Sequence, residues 1–172
     1  MPVHSAHRCY ALSVPGTLSP GGKGISVLNW LDMVPFLLFL VLLNSEGACG
    51  AITRAQVEAA TGLGFATGVE EYSKTGSTCS YESGPAVVTI STQQLEAELD
   101  LKAELRNLTE AIPGSTIREV KGIAERAYAM EIPGAGTQLH VLPAARVYVL
   151  ISVLGVGDAG RSFDAALRLG RM

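Results

Sequence analysis

The sequence predicts an α+β domain: an antiparallel sheet of about five strands with helices packed on one face. Three observations predict it. Strand-like runs are joined by short turns, as where Ser83-Gly84-Pro85 separates Thr78–Glu82 from Ala86–Thr92, a hairpin pattern. Capping signals followed by apolar residues at helical spacing mark helices between and around these runs. In Arg146–Leu154, Val147, Val149, Ile151 and Val153 alternate with Tyr148, Leu150, Ser152 and Leu154. Both faces of that run are largely apolar, as in a central strand covered on two sides or lying at an interface.

In order, the first helix opens at Thr53, with Gln56 completing a capping box, Ile52 and Val57 forming a hydrophobic staple, and Gly62 as the left-handed C-cap. A short strand falls around Val69–Tyr72, before the hairpin. Cys79 and Tyr81 share one face of its first strand. Ser91 and Gln94 read as a second capping box, opening a helix over Thr92–Ala111 whose apolar face is Leu101, Leu105, Leu108 and Ile112. Strands follow at Thr116–Val120, Arg126–Ile132, Gln138–Leu142 and Arg146–Leu154, and a last helix at Ala159–Leu169 with Asp158 as N-cap. The element order is α-β-β-α-β-β-β-β-α, forming a single domain over residues 51–172.

Residues 1–50 differ in kind and read as a leader. Met33–Leu43 is an unbroken apolar run (MVPFLLFLVLL). It is too short for a spanning helix of about 20 residues and of the length of a signal-peptide core. Small residues follow it: Ala48 and Gly50 stand at −3 and −1 of a cut before Ala51. A lipidated Cys49 and a leader retained as a membrane anchor are the alternatives, and Met33 competes with Met1 as the start. The sequence therefore places the domain outside the cytoplasm, secreted, periplasmic or held at the envelope, with the N-terminal segment as its sole membrane contact.

The composition excludes several classes. Hydrophobic residues are 48% and charged residues 17%, too apolar for a disordered chain. The net charge is −3 with both signs dispersed, so no basic patch points to nucleic acid. Aromatic content is 6%, leaving little for base stacking. Of three cysteines, Cys9 lies upstream of the apolar run. Cys49 and Cys79 remain as an even pair, which in an oxidising compartment suggests a disulfide. Two unrelated buried thiols are the alternative, and lipidation of Cys49 would exclude the bond.

Three stretches carry a resemblance. Cys49, Ile52, Thr53, Val57, Ala60 and Gly62 fit C-x-x-(I/L)-T-x-x-x-(V/I)-x-x-A-x-G; Cys79 and Tyr81 form C-x-Y at the start of a hairpin; Val120–Tyr128 approaches V-x-G-x-G-D-x-A-Y, with Ala124 and Glu125 departing from it. From about Cys49 onward the chain resembles small secreted or lipoprotein α+β domains of unknown function from bacterial envelopes. The resemblance implies a Cys49–Cys79 bridge and a sheet-and-helix fold, and no reaction.

No motif supplies a catalytic set, a metal site or a cofactor site. Gly155–Gly160 fits G-x-G-x-x-G, but no second parallel strand or acidic residue follows to complete a dinucleotide unit. His140 is the single histidine after the leader and reads as an exposed strand residue without an orienting partner. Glu96, Asp100 and Glu104 recur at i,i+4 and read as a solvated helix face. The function the sequence favours is a non-catalytic extracytoplasmic domain that binds an unknown protein or small ligand through a sheet face. Tyr128, His140, Arg146 and Tyr148 are its candidate residues, since Tyr and Arg are enriched at binding hot spots. A small hydrolase using His140 and a purely structural envelope component are the alternatives.

Overall fold

The computed structural model describes residues 47–172. The apolar run and Cys9 lie outside the described residues. A short helix α1 (Gly47–Ala51) leads into α2 (Arg54–Thr61), then the strands β1 (Val69–Tyr72), β2 (Gly76–Ser83) and β3 (Ala86–Gln94). Helix α3 (Leu101–Ala111) follows, then β4 (Thr116–Glu119), β5 (Arg126–Ile132), β6 (Gly136–Ala144), β7 (Val147–Leu154) and α4 (Ala159–Gly170). The strands form one antiparallel sheet of seven, in the order β1-β2-β3-β7-β6-β5-β4.

The α+β class and the antiparallel sheet agree with the sequence, but the count of strands does not. Seven strands replace about five because Val69–Tyr72 pairs in full with β2 and Thr116–Glu119 with β5, so both short runs become edges. Helix α1 was also unanticipated. It brings Ala48, fully buried, into the main core, so the folded unit includes residues 47–50 and does not begin at Ala51.

The helices do not share one face. Strand β7 is the centre of the sheet, and its two side-chain rows enter different cores. On the inner face, Val149, Ile151 and Val153 pack with α2 and α4 through Val57, Ala60, Ala165, Ala166 and Leu169. On the outer face, Tyr148 packs with Tyr128, Leu142 and helix α3 through Leu101 and Leu105. Burying apolar rows on both sides of β7 requires a cover on each.

Helix α3 is shorter than its apolar spacing implied. Ser91–Gln94 continue β3, paired with β7 as far as Gln94 opposite Val147. The ladder with the central strand overrides the capping-box pattern of Ser91 and Gln94. The cap in use is Asp100, whose carboxylate accepts the Ala103 N–H at 3.1 Å. By contrast the Thr53–Gln56 capping box, the left-handed Gly62 and the Asp158 cap on Arg161 N–H form as expected.

The cysteine pair is bonded. Cys49 of α1 joins Cys79 of β2 with Cα atoms 5.0 Å apart, closing a 30-residue separation. Two residues along the same strand face, Tyr81 Oη donates to Ile52 O at 2.7 Å and lies 3.4 Å from Cys49 O. The C-x-Y stretch thus holds α1 through sulfur and the link that follows it through a buried hydroxyl.

Candidate functional site

Two places combine concavity or buried polar chemistry, one on each face of the sheet. The first gathers three of the four residues singled out in the sequence. Register pairs Tyr128 of β5 with His140 of β6, and His140 with Leu150 of β7, so Tyr128, His140 and Tyr148 share the outer face. His140 Nδ1 and Tyr148 Oη are 2.7 Å apart, with ring centroids 6.1 Å apart. Helix α3 covers them.

His140 is therefore not the exposed strand residue the alternation suggested. It retains 2% of its exposure, because Leu101 and Leu105 of α3 roof this half of the face. Desolvation holds its imidazole well below the ordinary value, at about 4. Tyr148 is pushed up to about 12, first by burial and then by the Glu104 carboxylate on α3. A neutral ring bonded to a neutral phenol is the resting pair. Among the described residues Nε2 has no hydrogen-bond partner. The ring thus lacks the carboxylate or serine within reach that a general base needs. Arg146 stands apart: it is exposed in the β6–β7 turn, where its carbonyl accepts the Leu95 N–H at 2.8 Å.

The acidic series does not survive as a helix face. Glu96 lies in the link before α3, Asp100 caps the helix and Glu104 falls in its first turn. Among the described residues no group of three or more His, Cys, Asp or Glu converges as a metal site. The Gly155–Gly160 segment is a strand-to-helix turn whose helix end is already occupied by the Asp158 carboxylate.

The second place is a small apolar groove on the inner face, of about 100 Å³ and open to solvent. Its floor is Ile90 and Thr92 of β3, Val149 and Ile151 of β7, and Val141 and Pro143 of β6. Ala51 and Ile52 form one wall; Ile123, Leu169, Gly170 and Met172 form the other. Gly170 lies close to both Leu139 and Ile123: a Cβ there would meet the ends of these side chains, which would have to shift. No charged side chain lines the groove, and Thr92 supplies its single hydroxyl. A mostly apolar lining is usual for small-molecule sites, and at about 100 Å³ the groove is smaller than the roughly 300–1,000 Å³ of sites that enclose a drug-sized ligand. Sequence reasoning missed this groove because its walls, α1 and the end of α4, meet only in three dimensions. The apolar inner row of β7 was its one visible trace.

Fold and site together define a disulfide-stapled α+β domain: an open antiparallel sheet roofed on both faces, with an apolar groove at one end of the inner layer. The chain matches no protein-family model, no curated protein sequence and no solved structure. Among the described residues no helix is long and apolar enough to cross a membrane.

Proposed function

We propose that this chain is a non-catalytic extracytoplasmic binding domain whose ligand is a small apolar molecule, an acyl chain or a group of similar shape. The observation that carries the reading is the groove between α1 and the end of α4, which is mostly apolar and lined by no charged side chain. A lining without charged side chains would leave a buried charge unpaired, which is costly. A ligand with an acidic head would therefore hold that head outside the groove, in solvent. The extracytoplasmic setting is supported by the Cys49–Cys79 bond, since such bonds persist in oxidising compartments. The enzyme alternative loses its support, because His140 is sealed beneath α3 and its hydrogen-bond partner is a tyrosine.

Titration with a fluorescent fatty acid tests this. Saturable binding at one site is expected, with loss of binding in Ala51→Trp, which fills the half-buried rim of the groove. Ile123→Lys, which brings a charge to the opposite wall, should weaken binding as well while the fold is retained. Absence of saturable binding, or equal binding by both variants, contradicts the reading.

A further inference from the structure

The fold constrains where an exported form of this chain can begin. Ala48 is fully buried, and its N–H donates to Ser77 Oγ at 2.7 Å. The next N–H, of Cys49, donates to Glu70 Oε1 at 3.2 Å, and Cys49 Sγ is bonded to Cys79. Losing residues 48 and 49 would remove a core side chain, both hydrogen bonds and the staple.

Leader removal requires small residues at −3 and −1 of the cut bond. After the apolar run ends at Leu43, the first bond that qualifies is Gly47–Ala48, with Ser45 at −3 and Gly47 at −1. Every later bond that qualifies lies beyond Cys49: Cys49–Gly50, Gly50–Ala51 and Ala51–Ile52. A cut at any of these leaves Cys49 on the wrong side. The cut before Ala51 that the sequence suggested is thus incompatible with the disulfide. Lipidation of Cys49 is incompatible too, since a sulfur bonded to Cys79 has no thiol to offer.

We propose that the exported chain is cut between Gly47 and Ala48, and that Ser77 and Glu70 receive the new amino group of Ala48. The proposal rests on the export reading above. In the reaction, water adds across the amide; Gly47 leaves as the carboxylate of the leader, and Ala48 keeps the nitrogen, which takes up a proton. Acceptors for the resulting ammonium stand in place. Ser77 Oγ already faces the Ala48 nitrogen. The Glu70 carboxylate lies against Gly47, so closely that a Cβ there would overlap it, and it borders the space that Gly47 vacates. Charge-assisted bonds to a carboxylate offset the desolvation of an ammonium. Because Ala48 is buried in the folded domain, the cut precedes closure of the disulfide.

The test uses the full chain, tagged at its C-terminus and expressed in an exporting bacterial host. Protein from the extracytoplasmic fraction is analysed by intact mass, N-terminal sequencing and non-reducing peptide mapping. The expected result is a chain beginning at Ala48, with Cys49 and Cys79 linked. A chain beginning between Asn44 and Gly47 overturns the cut while leaving export standing. A chain beginning at Gly50 or later overturns the cut together with the stapled α1. A chain that retains Met33–Leu43 overturns both the cut and the export reading. Gly47→Leu should abolish the mature form, and its unchanged production overturns the assignment. In the mature protein, Glu70→Gln should lower the pKa of the Ala48 amino group; an unchanged value overturns the role given to Glu70.

Discussion

Tyr81 Oη donates to the carbonyl oxygen of Ile52 at 2.7 Å, two residues along β2 from the cysteine that bonds Cys49. The phenol is buried, and burial followed by the Glu70 charge raises its pKa above the ordinary value. It therefore stays a donor across the physiological range. Its partner carbonyl lies in the link between α1 and α2. In Tyr81→Phe the Ile52 carbonyl loses its donor in a buried setting. A loss of about 1–3 kcal/mol is expected, read as a lower midpoint in urea unfolding with the disulfide intact.

Removing the staple acts on the unfolded chain. Closing a loop of this length stabilises the fold by about 3–4 kcal/mol in the chain-entropy model. Cys49→Ser/Cys79→Ser, or reduction of the natural pair, should lower the unfolding free energy by that order. An equal midpoint with and without reductant would show that the bond contributes nothing to stability.

Acid should weaken the fold through His140. The imidazole has an ordinary pKa of 6.5 and a folded value of about 4. As pH falls, the unfolded chain takes the proton first. The stability gained by burying the neutral ring is fully present above about pH 6.5 and declines by about 1.4 kcal/mol per pH unit below it, for a total of ~3 kcal/mol near pH 4. Tyr128 and Tyr148 on the sheet lie beside the ring, and Leu101 and Leu105 of α3 cover this face. Protonation should therefore loosen α3 first, as a local opening. Denaturant unfolding at a series of pH values checks this, with His140→Phe as reference. The difference between the two proteins should be flat above pH 6.5 and slope below it.

Much of the fold was legible in the sequence, and the exceptions have physical causes. Local devices were read correctly where nothing competes with them: the Thr53–Gln56 box, Gly62, Asp158 and the Gly84-Pro85 turn all act on neighbouring backbone. Ser91 and Gln94 misled because their local helix signal is weaker than a full register of pairing with β7. The two apolar rows of β7 announced a central strand, yet they did not say that α3 would roof one row and α4 the other. Tyr128, His140 and Tyr148 were picked out as residue types, and the sheet does bring them together. Their burial was not legible, since it depends on where α3 lands. The groove was the least legible feature, because it joins residues from both ends of the described chain.

Helix α1 belongs to the folded domain and is held there by the Cys49–Cys79 bond. Counting thiols in denaturant, on protein recovered from the extracytoplasmic fraction without reductant, tests it most directly. No reactive thiol is expected at Cys49 or Cys79 before reduction, and one at each after it. Two reactive thiols before reduction, in a domain that is nevertheless folded, would contradict it.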